Sequence, residues 1–332
     1  MFSEDIKKGF PTLINDPELV YLDSAASTQT HQSVLDRMHR YYTEQRCNVN
    51  RGDFRISQDV SADIEKSRQS FATLINAEPE QIMFTAGATE GLNIVADWCK
   101  DVPVVIITEA EHTANILPWI AQGRTVDNGR LIVLPVTDKG TLNLTECAKI
   151  FEKWPYALLS ITSHSNVTGI GNNIKKLTKM AHDYGIRVCV DACQTAGTHE
   201  FDSYTVDWAV FSGHKMYGPT GVGVLYSRLP FERYRAVRLG GGAVTHYDFN
   251  GNMQFYDGPA KHEVGTPNIA GILGLGVAAE WINFLGYDKM SEHFTQIDFA
   301  MNDTDIFNIK GLNLFFPRYN KFSLHDDGRC RL

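Results

Sequence analysis

Short runs of Val, Ile and Leu, each followed by a helix-patterned segment, constrain this chain more than any other feature. QIMF leads into the small-residue loop TAGAT and the helix-patterned EGLNIVADWC. PVVIIT precedes ANILPWIA, LIVLPV precedes TLNLTECAKIFEKW, and ALLSITS precedes IKKLTKMAHDYG. RVCVDAC, DWAVFSG and GVGVLYS close the series. Strands apolar on both sides and separated by helices imply an α/β fold, with a mostly parallel sheet covered on both faces. The loops that follow the strands of such a sheet gather at one edge, where ligands bind. Thr89, His112, Asn166, Asp191 and Lys215 all stand just after such runs, so the pattern predicts them at one edge.

Upstream of the series, Leu19-Val20-Tyr21-Leu22 reads as a short strand before the turn DSAAST. HQSVLDRMHRYY carries Val34, Leu35, Met38, Tyr41 and Tyr42 at helical spacing. After the polar loop RCNVNRGDF, a second helix is predicted over about residues 58–76, with Ile64, Phe71, Leu74 and Ile75 on one face. Near residue 270 the character changes: GILGLGVAAEWINFLG begins a long apolar helix, and the last forty residues hold one apolar strand, LNLFF. The 332 residues suffice for a large domain and a smaller one. The division expected is an N-terminal segment, 1–20, packed with the small domain, then a large domain over 21–268. Residues 269–332 supply a connecting helix and an incomplete small α+β domain.

The formal net charge of −8, without runs of like charge, argues against nucleic acid or an anionic membrane as a partner. MFSEDIKKGF has neither a signal-peptide apolar core nor a transit-peptide composition, and the apolar stretch from Ile269 to Leu285 is interrupted by Glu280. A cytoplasmic location is the expectation. The six cysteines (Cys47, Cys99, Cys147, Cys189, Cys193, Cys330) form no CxxC pair, and Cys189 and Cys193 flank a strand end, not a helix face. No metal site is expected, and reduced thiols are.

The stretch FSGHKMYGPTGVG raises the chemical question. A lysine rarely sits in a tight, glycine-rich, apolar setting unless something pairs or reacts with it. TAGATEG, between a strand and a helix, is either an anion site at a helix N-terminus or a tight turn with a Thr cap. No GxxxxGK[ST] is present, and GGGA at 240–243 lacks the strand–GxGxxG–helix context of a dinucleotide site. Asp191, ending a buried strand, reads as a turn cap or as a partner for a buried positive group. His112 reads as a surface-loop histidine or as one that stacks on a ring. Asn166 and Gln194 also fall in loops after strands. One cofactor draws on the whole set. Pyridoxal 5′-phosphate has a phosphate for a helix N-terminus, a ring nitrogen for a carboxylate and an aldehyde for a lysine. An amine held away from water is a usable nucleophile and base.

These residues carry a resemblance. The chain resembles the class V aminotransferase superfamily of fold-type I pyridoxal-phosphate enzymes, and within it the SUF/CSD-type cysteine desulfurases, which also act as selenocysteine lyases. The matching stretches run in family order: YLDSAAS (21–27), ATEGLN (88–93), EH-AN (111–115), SNVTG (165–169), VDACQ (190–194), FSGHKMYGPTGVG (211–223) and EVGTPN (263–268). The resemblance implies a seven-stranded, mostly parallel sheet between helices. It implies that Lys215 bonds the cofactor aldehyde, Asp191 pairs with the ring nitrogen, Gln194 bonds the ring hydroxyl and His112 stacks on the ring. Thr89, Ser212 and His214 would hold the phosphate, with Thr266 reaching in from the second copy of a homodimer. Asn166 would sit beside the cofactor and the substrate carboxylate. L-cysteine or L-selenocysteine is the implied substrate, and a sulfur-acceptor protein the implied partner, for iron–sulfur cluster assembly or other sulfur transfer.

The sequence departs from the family pattern in places. Ala88 stands where the family has a threonine, which leaves backbone N–H groups to cover that part of the phosphate. Thr113 replaces a second histidine, and NVNRGDF lacks the loop's usual histidines, which puts Asn50 and Phe54 near the substrate entrance. The family's persulfide-forming cysteine loop and its later carboxylate-binding arginine have no counterpart here. Cys330, in DDGRCRL, reads as a tail cysteine in preference to a replacement nucleophile, because thiolate attack needs a placed, activated sulfur. The expectation is therefore a cysteine desulfurase-like protein. The alternatives are another class V lyase or epimerase, or a catalytically impaired homologue acting through dimerisation.

Overall fold

The structure is a computed structural model that describes residues 6–49 and 52–302. Seven strands form the central sheet: β1 (Ile82–Thr85), β2 (Val105–Thr108), β3 (Leu131–Leu134), β4 (Leu158–Thr162), β5 (Arg187–Asp191), β6 (Trp208–Ser212) and β7 (Gly223–Ser227). Their spatial order is β1-β7-β6-β5-β4-β2-β3, with β7 antiparallel to both of its neighbours and every other pairing parallel. The reversal at β7 has a local cause. Only Gly213–Val222 separates β6 from β7, too short a connection for a parallel crossover.

Alternate residues of each strand feed two apolar layers, as a side-chain period of two requires. On one face Ala209 and Phe211 pack with Leu159, Val190 and Tyr226 beneath α2 (Gln32–Glu44), α3 (Arg55–Leu74), α6 (Leu144–Lys153), α7 (Ile174–Asp183) and α8 (Ile269–Leu285). On the other, Trp208 and Val210 pack with Val105, Leu158 and Leu225 beneath α4 (Ala88–Trp98) and the short α5 (Leu117–Ala121). A five-residue helix, α1 (Pro11–Asn15), precedes these elements; a hairpin of β8 (Val244–Tyr247) and β9 (Met253–Phe255), then α9 (Tyr287–Asn302), follow the sheet.

Several sequence expectations need correction. Leu19–Leu22 is not a strand: it runs as irregular chain, with Val20 and Leu22 both more than three-quarters exposed. The residues after it are tied instead to the loop that follows β6, Thr28 N donating to His214 O and His31 N to Tyr217 O. The second helix begins at Arg55 and ends at Leu74, and Asn76 takes a left-handed φ of 54°. ANILPWIA splits into a single 3-10 turn, Thr113–Asn115, and α5, whose Pro118 sits in its first turn. The apolar α8 starts one residue after the boundary expected at 268, but most of it lies in the same core as α3. Among the described residues, no single helix is long and apolar enough to cross a membrane. LNLFF, Cys330 and Asn50 lie outside the described residues.

Candidate active site

β1 to β6 all run the same way, so their C-terminal ends share one edge of the sheet, and a cavity of about 350 Å³ opens there. Eight of the ten residues singled out from the sequence line it: Ala88, Thr89, His112, Asn166, Asp191, Ser212, His214 and Lys215. They come from five different strand-end loops, brought together by a parallel sheet whose loops gather at one edge.

Lys215 ends a 3-10 turn, Gly213–Lys215, directly after β6. That turn is tied down on both sides. Gly213 N donates to Val222 O at 2.9 Å, and His214 O accepts from Thr28 N at 2.8 Å and Thr28 Oγ1 at 3.1 Å. Tyr217 adopts φ 65°, with its N–H donating to Thr28 Oγ1 at 2.7 Å. The segment DSAAST thus straps the lysine loop, and its Ala25 and Ala26 form part of the cavity wall.

The helix N-terminus beside the lysine depends on a glycine. Gly223 pairs with both Thr85 and Ser212, the last residues of β1 and β6. A Cβ on Gly223 would fall 2.6 Å from Gly87 Cα and 2.3 Å from Phe211 O. Its absence lets the loop before α4 lie against the sheet, and Ala88 N donates to Ser212 Oγ at 3.0 Å. His214, half-buried and next to Lys215, has its pKa lowered by burial and then by the lysine charge.

Asp191 is 5% exposed at the end of β5, and its Oδ1 accepts from Cys193 N at 3.1 Å. Cys193 also faces the cavity, where its Sγ donates to Ser212 Oγ at 3.6 Å. Burial, and then the Asp191 charge, push its thiol well above the usual range, so it stays protonated and is a weak nucleophile. His112 is exposed at the mouth, its Nδ1 accepting from Ala114 N at 3.1 Å. Phe54 is 55% exposed and does not line this cavity.

Two sequence-predicted residues stand elsewhere. Gln194 is buried behind the wall, its Nε2 donating to Ala25 O at 2.6 Å. Thr266 lines a different cavity, of about 380 Å³, beside Arg68 and Glu263. There the Arg68 guanidinium meets Glu263 at 2.7 and 2.9 Å. The pair holds the EVGTPN loop against β1, since Glu263 Oε1 also accepts from Phe84 N at 2.7 Å.

One residue the sequence reading passed over is Glu111. It is buried, accepting from Thr108 Oγ1 (2.7 Å), Thr162 N (2.9 Å) and Asn115 Nδ2 (2.7 Å). Burial pushes its pKa up to about 7 against the pull of those three donors, and the charge of Asp191 adds to the rise. In the sequence it resembles Glu109, which is exposed and bonds Val136 N. Its place at the head of EH-AN (111–115), directly before His112, set it apart.

The donor set fits pyridoxal 5′-phosphate. An amine and a buried carboxylate line one cavity, and a helix N-terminus with Ser212, Thr89 and His214 borders it. These supply a partner for the aldehyde, the ring nitrogen and the phosphate respectively.

Comparison with known proteins agrees with that fit. Residues 20–321 match the family model described as aminotransferase class-V. A cysteine desulfurase of Klebsiella pneumoniae is 37% identical over 302 residues, covering 87% of this chain and 74% of the relative. A cysteine desulfurase of Escherichia coli K12 is 34% identical, covering 96% and 81%. Among solved structures, the apo cysteine desulfurase of Thermococcus onnurineus superposes with a TM-score of 0.81 at 32% identity, over 90% of this chain and 76% of that one. CsdA, a cysteine desulfurase of Escherichia coli, gives 0.79 at 30%, over 91% and 77%. With its sheet order, its Lys215 cavity and these relatives in agreement, the chain belongs to the aminotransferase class-V family of pyridoxal-phosphate-dependent, fold-type I proteins.

Proposed function

We propose that this chain is a cysteine desulfurase: it takes L-cysteine, or L-selenocysteine, releases L-alanine and passes the sulfur or selenium to a thiol acceptor. The observation that carries the reading is the meeting of Lys215 and Asp191 in one cavity with His112 at its mouth. The chain in which they meet is 34–37% identical to proteins named cysteine desulfurase.

When bound, pyridoxal phosphate supplies an electron sink for the negative charge left at the substrate Cα. Lys215 Nζ, which lines the cavity, would move the substrate Cα proton as general base. Asp191, held by Cys193 N, keeps a positive partner protonated opposite its carboxylate. His112 covers the open side and limits water. The reading assigns Asn166, which lines the cavity, to the substrate carboxylate. The overall step balances as cysteine plus RSH giving alanine plus RSSH. The Cβ–S bond breaks, an S–S bond forms and Cβ gains a proton.

Cys193 is the cysteine that reaches the cavity among the described residues. Its raised pKa makes it a poor sulfur acceptor. The reading therefore assigns sulfur acceptance to a thiol from elsewhere, either a small thiol or an acceptor protein. It also assigns Thr266 to the cavity of a second copy in a homodimer, and the enzyme to the cytoplasm, where reduced thiols such as Cys193 persist.

Purified protein is expected to be yellow, with a visible absorption band that Lys215→Ala abolishes. With L-cysteine and dithiothreitol it is expected to release alanine and sulfide in equal amounts. A colourless protein that pyridoxal phosphate cannot reconstitute sinks the reading. A yellow protein that releases no alanine moves it to another class V lyase or epimerase.

A further inference from the structure

The sheet has a switch point between β2 and β4. From β2 the chain moves outward to β3, then returns to β4 and proceeds the other way through β5 and β6. Ligands of open α/β sheets bind at such a point. Here the two strands pair only at Val105↔Leu158 and Ile106↔Leu159, whereas β4 pairs with β5 at five positions. Beyond that pair of residues β2 and β4 part, and their free backbone groups need partners from elsewhere.

The Glu111 carboxyl fills the gap. Oε1 accepts from Thr108 Oγ1, at the end of β2, and from Thr162 N, at the end of β4. Oε2 accepts from Asn115 Nδ2. Asn115, itself fully buried, accepts from Ser160 Oγ of β4 and donates its backbone N–H to His112 O at 2.8 Å. His112 therefore lies between two anchored residues, Glu111 before it and Asn115 after it, and one carboxyl group holds both. All three groups on Glu111 are donors, so the site is built for an acceptor.

We propose that Glu111 is the positioning residue for His112: its carboxyl group wedges the switch point open and clamps residues 111–115, so that the imidazole stands over the cavity. This rests on the reading that the cavity takes pyridoxal phosphate. Glutamine keeps the volume and the acceptor toward Thr108 and Thr162, but it turns an NH2 group toward the Asn115 NH2 group and so releases one end of the clamp.

The test is a cycle of four proteins, wild type, Glu111→Gln, His112→Ala and the double variant. Each apoprotein is titrated with pyridoxal phosphate and followed by the visible band. Glu111→Gln is expected to weaken binding at least fivefold when His112 is present and less than twofold when it is alanine. Equal weakening in both backgrounds, or none in either, overturns the proposal, because a purely structural role does not depend on His112. If Glu111→Gln is insoluble, Asn115→Ser releases the other end of the clamp, and the same cycle decides with the same criteria. A wild-type chain that takes up no cofactor overturns the functional reading, and this inference with it.

Discussion

At its N-terminus α4 (Ala88–Trp98) opens onto the Lys215 cavity, whereas at its C-terminus a buried guanidinium closes it off. Both ends have the same need. An α-helix leaves N–H groups unpaired at one end and C=O groups at the other, with partial charges of opposite sign. At the cavity end Ala88 N donates to a serine hydroxyl and Ala86 N to the Glu90 carboxylate, and open space lies beside Gly87, Thr89 and His214. At the far end Arg124, with no exposed surface, donates to the carbonyls of Cys99 and Lys100 at 3.1 and 2.9 Å, and to those of Val102 and Pro103. Gln122 adds a bond to Ala96 O at 2.7 Å. Arg124 has no acidic partner among its hydrogen bonds. The carbonyls of the helix cap, Cys99, and of the turn after it act in place of a carboxylate, although burial still lowers the arginine's pKa. The comparison separates stabilising from binding. One end is saturated by the fold, and the other is left to be completed by an anion.

The sharpest way to break this contrast is Arg124→Ala. It strands several buried carbonyls, and a cost of about 3–5 kcal/mol is expected. By calorimetry that is a melting temperature lower by on the order of 10 °C. Pyridoxal-phosphate affinity of the folded fraction should stay within twofold of wild type at low temperature. A large loss of affinity at unchanged stability would mean that the two ends are not separate in function.

pH gives the next largest effect. Glu111 rises from an ordinary 4.5 to about 7 in the folded chain. For a group raised on folding, the stability it contributes is complete below the unfolded value and is lost as pH rises through the folded one. Relative to Glu111→Gln, the wild-type apoprotein should thus lose up to about 3 kcal/mol between pH 4.5 and pH 7. Arg124→Ala should show a stability difference that is flat over the same range, since neither the guanidinium nor its carbonyl acceptors titrate there. A flat Glu111 profile, read by denaturant unfolding at each pH, would contradict the buried carboxyl described above.

Ser212→Ala is the smallest of the three. It removes the acceptor for Ala88 N, a loss of about 1 kcal/mol. It should appear as cofactor affinity weakened by roughly tenfold or less, with little change in the apoprotein's melting temperature. A melting temperature that fell as far as for Arg124→Ala would make the cavity end structural after all.

Much of the site was legible in the chain because parallel strands place their following loops at one edge whatever their order. Thr89, His112, Asn166, Asp191 and Lys215 each needed only a strand before them to be assigned there. The short Gly213–Val222 connection likewise dictates an antiparallel β7 from length alone. Other features depended on contacts remote in sequence. Leu19–Leu22 has strand-like residues but pairs with no strand among the described residues. Gln194 turns its amide to Ala25, 169 residues away. Thr266 is carried to another cavity by the hold of Arg68 on Glu263, 195 residues apart.

The sequence by itself determined the alternation of strands and helices, the edge where the chemistry collects and the lysine, carboxylate and helix N-terminus found there. Those follow from side-chain period, connection length and local turn chemistry, all set within about ten residues. Only the tertiary structure decided that β2 and β4 part at the switch point. It alone buries Glu111 and leaves Glu109 in water, and it places Arg124 on the end of a helix that finished 26 residues earlier. The physical reason is desolvation. Whether a charged group is enclosed, and what then meets it, depends on the packing of distant segments, which no local pattern records.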